Sequence, residues 1–139
     1  PADSALFKNV INIFSRSGTL ALKNNIIVDY AAQGAQAFVK GNYNKAAGLY
    51  LKAIASDPTN YTHYENAGIC YYTAKEYKNA IVYFQKAAKL PAANTGKSEF
   101  FMAMSYIAMN DKSNACSALN AAKSKNYPGV DTYIAQNCK

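Results

Sequence analysis

The segments YNKAAGLYLKA (residues 43–53) and YKNAIVYFQKA (residues 77–87) repeat one pattern 34 residues apart. Residues 30–34 and 64–68 share the same offset, and both read Tyr-x-x-x-Gly. A fixed period of this length indicates stacked units that cannot bury their apolar faces alone. We therefore predict a repeat fold, which presents a curved surface for a partner more often than a catalytic cleft.

The composition is that of one folded helical domain. The chain has 139 residues, 50% of them apolar, with only 7 Gly and 4 Pro, and this is enough for a modest core. No stretch approaches the ~18 apolar residues that a membrane span needs, so we expect none. Because the chain begins at Pro1 and not at Met, any signal peptide would already be missing.

The apolar spacing predicts helices along most of the chain. Apolar residues recur at three- and four-residue steps in residues 64–73 and 80–88. Helix-breaking residues separate these segments, including Gly41, Pro58 and Pro91. Each unit of 34 residues is thus predicted to form helix, turn, helix, turn, which gives an all-α fold.

With these residues the chain resembles the tetratricopeptide repeat family, whose units carry large, small and aromatic residues at set positions. The first unit has Tyr30, Gly34, Ala37, Tyr43, Ala46, Tyr50, Ala53 and Pro58. The second has Tyr64, Gly68, Tyr71, Tyr77, Ala80, Phe84, Ala87 and an early Pro91. The third, after a one-residue insertion, has Glu99, Ala103, Tyr106, Ala115, Leu119, Ala122 and a late Pro128. The resemblance implies an α-solenoid of antiparallel helix pairs.

The resemblance divides the chain into five parts. Three repeats cover residues 27–60, 61–94 and 95–129, between an N-terminal helical extension (1–26) and a C-terminal capping helix (130–139). In the extension we expect an apolar helix over residues 4–16, then a second helix capped by Thr19. The first helix would cover the end of the stack; alternatively, it would dock on a second copy of the chain or occupy the concave groove.

In the resembled family the inner helices line a concave groove that takes an extended peptide or a helix of a partner. The matching positions predicted to bind are Phe38, Thr62, Glu65, Asn66, Ile69, Tyr72, Lys97, Phe101 and Met104. For Phe38 and Met104 a place in the core is an equal alternative. Some members clamp a partner's C-terminal carboxylates with Lys and Asn. Asn66 and Lys97 fit that clamp, but Ala31, Ala35 and Phe101 stand where further polar residues would be. The groove is therefore expected to favour an apolar peptide or helix.

The cysteines bear on the cellular compartment. Three Cys and one His do not make the four-ligand set of a zinc site, and no metal is expected. The surroundings of Cys116 and Cys138 resemble the ends of exported bacterial repeat proteins, where such a pair forms a disulfide; two unrelated thiols are the alternative. A disulfide would imply the periplasm or cell envelope, and free thiols the cytoplasm. Cys70 is interpreted as a small buried hydrophobic residue.

Catalytic residues are not evident. His63 is the only imidazole and has no neighbouring nucleophile, so we interpret it as an exposed histidine at a helix start. The eight acidic residues are scattered, so no paired carboxylates are expected. We predict no enzyme and no cofactor. Because nearly all basic residues are dispersed lysines, nucleic acid is not an expected partner, although the net charge of +7 favours acidic partners.

The predicted function is therefore a non-enzymatic module that binds a peptide or helix of another protein. One alternative is a self-associating structural scaffold, a homo-oligomer formed through the N-terminal helix. Another is an accessory domain of a larger envelope protein.

Overall fold

The computed structural model describes residues 20–23 and 26–139. Two short strands precede seven helices. The elements are β1 (Leu20–Lys23), β2 (Ile26–Asp29), α1 (Tyr30–Val39), α2 (Tyr43–Ser56), α3 (Tyr61–Thr73), α4 (Tyr77–Ala88), α5 (Lys97–Ala108), α6 (Lys112–Ser124) and α7 (Val130–Asn137). The predicted all-α solenoid is thus confirmed from Tyr30 onward.

Short connections make consecutive helices antiparallel. The Phe38 ring near the end of α1 lies 5.1 Å from the Tyr43 ring at the start of α2. At the other end of the pair, the Lys52 ammonium lies 5.5 Å from the centre of the Tyr30 ring. The turns after α1, α3 and α5 share one backbone conformation. Gly41 (φ 82°), Lys75 (φ 64°) and Asn110 (φ 65°) each follow the helix end in the left-handed region.

The helices form two layers. Each helix from α1 to α7 packs on its neighbours in the chain, and α3 also approaches α5. The outer helices α2, α4 and α6 do not approach one another to the same extent. Helices α1, α3 and α5 therefore form an inner face, and α2, α4 and α6 form an outer face.

Glycine permits the closest helix contacts. The fully buried Phe84 ring of α4 lies directly on Gly68 of α3, where a Cβ atom would come 2.7 Å from Phe84 Cε1. In the first repeat, a Cβ atom on Gly34 would lie 3.0 Å from the ring of Tyr50. The aromatic ring fills the space that a side chain would otherwise need.

The expectation of a second helix after Thr19 is wrong. Strands β1 and β2 pair in antiparallel orientation, with Leu20 opposite Asp29 and Lys23 opposite Ile26. The β-branched run Ile26-Ile27-Val28 is the sequence feature that favours a strand here. The predicted helix over residues 4–16 lies outside the described residues, so its role in capping or self-association stays a prediction.

The interpretation of His63 as exposed is also wrong, because its side chain is only 3% exposed. Its helix α3 packs on α2 and α4 and also contacts α5. One ring nitrogen, Nε2, lies 3.3 Å from Asn60 Nδ2, and Nδ1 has no partner among the described residues. Burial lowers the pKa of His63, and the nearby carboxylates of Asp57 and Asp29 only partly oppose this effect.

Gly68→Ala is expected to destabilise the protein by about 1–3 kcal/mol, because the added methyl group overpacks against Phe84. Gly48→Ala is the matched control. Gly48 lies exposed within α2, and a Cβ atom there meets nothing within 4 Å. The control should stabilise by about 0.5–1 kcal/mol, because alanine is the better helix former. Urea unfolding of both variants measures the difference, and equal effects would contradict the packing described for Phe84.

Lowering the pH should weaken the fold through His63. Because its pKa is lower in the folded state than the ordinary 6.5, the unfolded chain binds more protons as the pH falls below that value. This contribution to stability is complete above 6.5 and declines below it. Urea midpoints measured on both sides of 6.5 should show a steeper loss for the wild type than for His63→Gln. An identical loss in both proteins would exclude His63 as the cause.

Candidate functional site

The inner face brings most of the predicted groove residues together. Seven of the nine are half-buried at the surface of α1, α3 and α5: Phe38, Asn66, Ile69, Tyr72, Lys97, Phe101 and Met104. Thr62 is exposed, whereas Glu65 is buried. The face therefore offers chiefly apolar and aromatic surface with a few polar groups.

A small depression lies between α1 and α3. It has a volume of about 170 Å³ and is lined by Ala35, Phe38, Val39, Tyr50, Asn66, Ile69 and Cys70. Val39 at its edge is 85% exposed, which is unusual for a large apolar side chain. Although Val39 shares the helix face of Ala35, sequence reasoning did not select it. In the described part of the chain the Asn66 amide makes no hydrogen bond, so it is available to a ligand.

An aromatic cluster lines the inner face between α3 and α5. The Tyr72 and Phe101 rings pack edge to face with their centres 5.9 Å apart. Phe101 also stacks on the fully buried Phe84, at 5.8 Å. Phe101 therefore belongs to the core and to the surface at once, and its removal would affect both.

Helix α7 extends the aromatic cluster, which its interpretation as a cap did not foresee. The Tyr133 ring lies 5.3 Å from the Phe100 ring of α5. Burial raises the pKa of Tyr72, and the hydroxyls of Tyr77 and Tyr133 contribute to the increase. The sequence signal for this contact was the alternation of inner and outer helices, because α7 directly follows the outer helix α6.

Glu65 lies beneath the groove. Its Oε2 accepts a hydrogen bond of 2.7 Å from Ser98 Oγ, and both residues are buried. The bond joins α3 to α5, so this carboxylate positions the two inner helices and is not presented to a partner. A hydrogen-bonded buried carboxylate avoids the large cost of an unpaired one.

The described residues offer no evident catalytic constellation. In residues 20–23 and 26–139 no cluster of His, Cys, Asp and Glu has the geometry of a metal site. Burial raises the pKa of the Cys70 thiol to about 11, so it stays protonated and is a poor nucleophile. This agrees with its interpretation as a buried hydrophobic residue. None of the helices in these ranges has the length and apolarity of a membrane span.

Cys116 and Cys138 lie side by side. Their Cα atoms are 5.5 Å apart and their sulfur atoms are within bonding distance, a separation that suits a disulfide. Cys116 belongs to α6, and Cys138 directly follows α7. A bond between them would hold α7, and with it Tyr133, against the rest of the stack.

Comparison with known proteins supports the repeat architecture. A family model described as the tetratricopeptide repeat matches residues 102–129. A comparison with curated protein sequences finds no match.

Several solved structures share the fold. The N-terminal domain of stress-induced protein-1 (STI-1) from C. elegans is 22% identical, with a TM-score of 0.74 over 79% of this chain and 92% of that one. The second TPR domain of human RPAP3, in complex with the HSP70 peptide SGPTIEEVD, is 19% identical, with a TM-score of 0.71 over 79% and 92%. The TPR2B domain of yeast Sti1, in a complex with pHsp70, is 21% identical, with a TM-score of 0.66 over 77% and 85%.

At these sequence identities the structural similarity establishes only the fold. Together with the repeat spacing and the two helical layers, they confirm the resemblance inferred from the sequence. Residues 102–129 match the tetratricopeptide-repeat model, and the chain shares the fold of tetratricopeptide-repeat domains.

Proposed function

We propose that the chain is a non-enzymatic module whose inner face binds a peptide or helix of a partner protein. An apolar side chain of the partner would enter the depression between α1 and α3, and Asn66 would hydrogen-bond the partner's backbone. The exposure of Val39 beside this depression is the observation that carries the proposal. When a partner covers an apolar side chain that was exposed to water, the free energy of the complex falls, which favours binding.

Structural neighbours support peptide binding in general. Two RPAP3 domains of this fold are seen with an HSP90 or an HSP70 peptide, and both peptides end in Glu-Glu-Val-Asp. The TPR2B domain of yeast Sti1 is seen in a complex with pHsp70. In this chain Ala31, Ala35 and Phe101 replace polar positions of the carboxylate clamp. We therefore propose an apolar ligand, because few groups on this inner face could compensate the charge of an acidic chain end.

We also propose that Cys116 and Cys138 form a disulfide and that the protein works in an oxidising compartment, such as the periplasm or cell envelope. The support is the placement of the two sulfur atoms. Disulfides persist in such compartments and are rare in the cytosol.

Val39→Asp should weaken ligand binding about tenfold or more, because it removes apolar contact and places a carboxylate in the interface. The probe is a set of short peptides selected from a random display library on the wild-type chain after depletion on the Val39→Asp variant. Affinities are measured by fluorescence anisotropy. This exposed position avoids the loss of core packing that a change at Phe101 would cause.

Val82→Asp is the matched control, because Val82 is also exposed (42%) but lies on α4 in the outer layer. It should leave the affinity of these peptides unchanged. The proposal fails if no peptides survive the depletion, or if both variants lose binding equally.

The disulfide predicts that Cys116 and Cys138 in native protein resist alkylation until a reductant is added. Replacing both with alanine should lower the unfolding free energy by about 3 kcal/mol, as expected for closing a loop of this length. Mass spectrometry of alkylated protein and urea unfolding measure the two effects. Cys70 serves as the internal control, because burial protects it before and after mild reduction. Two freely alkylated thiols would contradict the proposed compartment.

A further inference from the structure

The three outer helices carry positive charge only. Neither α2, α4 nor α6 contains a single Asp or Glu. Their lysines are Lys45 and Lys52, Lys78 and Lys86, and Lys112 and Lys123. Lys89 directly follows α4. Lys123 pairs with Asp131 of α7 at 2.7 Å, whereas α2 and α4 carry lysines without such a partner among the described residues. Unpaired positive charge attracts ligands of the opposite sign.

A groove opens on this face between α2 and α4. Its volume is about 500 Å³, and it is lined by Leu51, Ile54, Ala55, Tyr64, Tyr83, Lys86, Lys89 and Leu90. Leu51, Ile54, Tyr64, Tyr83 and Leu90 are half-buried, whereas the two lysines are exposed. No acidic side chain lines it in the described part of the chain. We call it the outer groove.

The aromatic side chains of the outer groove are held in place. The Tyr83 ring stacks on Tyr71 with centres 5.5 Å apart, and Lys86 Nζ lies 5.0 Å from the centre of the Tyr83 ring. The Tyr64 hydroxyl donates a hydrogen bond of 2.8 Å to the carbonyl oxygen of Pro58. A preformed surface of this kind loses little conformational entropy when a ligand binds.

The acidic residues that flank α2 and α4 in sequence bond to neutral donors and form no ion pair with the groove lysines. Asp57, after α2, accepts hydrogen bonds from the backbone and hydroxyl of Thr59. Glu76, before α4, accepts one from the Asn79 amide at 3.0 Å. No ion pair of Lys86 or Lys89 occurs among the residues described, so both ammonium groups are available to a ligand.

We propose that the outer groove binds an acidic segment of a second protein, whose apolar side chains rest on the groove floor while its carboxylates meet Lys86 and Lys89. The apolar residues lie in a recess, which a side chain can enter and a flat lipid surface fits less well. The chain's own residues 1–19 lack the matching charge, because they contain Lys8 and Arg16 against a single Asp3. This surface is separate from the inner face and does not depend on its proposed function.

Peptide selection tests the outer groove. A random library of short displayed peptides is depleted on the Lys86→Glu/Lys89→Glu variant and then selected on the wild-type chain. The survivors should be acidic and should contain large apolar residues. Nuclear magnetic resonance titration should place them at the backbone amides of Leu51, Ile54 and Ala55.

Two variants separate charge from shape. Reversing Lys86 and Lys89 should weaken the selected peptides about tenfold or more, and added salt should weaken wild-type binding because the lysines are exposed. Ala55→Gln should also weaken binding, because it places a polar amide on the exposed edge of the floor. The Lys78→Glu/Lys112→Glu variant is the matched control, with an equal change in net charge outside the groove. It should stay within about twofold of wild type.

Three results would overturn the proposal. The first is that no peptide survives the depletion, and the second is that survivors are neutral or basic. The third is binding of phosphatidylglycerol vesicles that Lys86→Glu/Lys89→Glu abolishes and Ala55→Gln leaves unchanged, because a membrane would then be the ligand. Thermal unfolding of every variant checks that the fold is retained. This check matters most for Lys86→Glu/Lys89→Glu, which removes the contact of Lys86 with the Tyr83 ring.

Discussion

The contact between an aromatic ring of an outer helix and a glycine of the inner helix is the constraint on which the stack depends. Phe84 lies on Gly68, and Tyr50 lies on Gly34. In the third repeat both residues of this contact differ: Ala103 stands at the glycine position, and Leu119, which is smaller than an aromatic residue, stands at the aromatic position. Both are fully buried. The inner residue is larger where the outer residue is smaller, because the space between the paired helices is filled to the density of a protein interior.

This packing couples the interior to the inner face. Phe101 touches Phe84 in the core and Tyr72 at the surface, and the buried Glu65–Ser98 bond holds α3 and α5 beneath them. The aromatic part of the groove is therefore held in place by contacts with the core. The inner face is most open to a ligand between α1 and α3, where the exposed Val39 borders a depression that no described side chain fills. The outer groove has its own floor and its own charge, so the two faces can be altered separately.

Much of the fold was predictable because it rests on local patterns. The spacing of Tyr30 and Gly34 and its return at Tyr64 and Gly68 predicted the helix pairs. Other features needed contacts between distant residues. His63 was taken as exposed because it stands at a helix start with no neighbouring nucleophile, yet the folded chain buries it. Tyr133 was assigned to a C-terminal cap, and only the structure showed that its ring lies against Phe100 of α5.

From Tyr30 onward the sequence by itself determined the order of helices and turns and which small and large residues meet, because both follow from backbone preferences and a fixed repeat length. Only the tertiary structure decided which apolar side chains remain open to a partner. Val39 and Phe38 are neighbours in sequence and equally apolar. Phe38 packs on Tyr43 while Val39 faces solvent, because the exposure of a side chain depends on the helices packed around it.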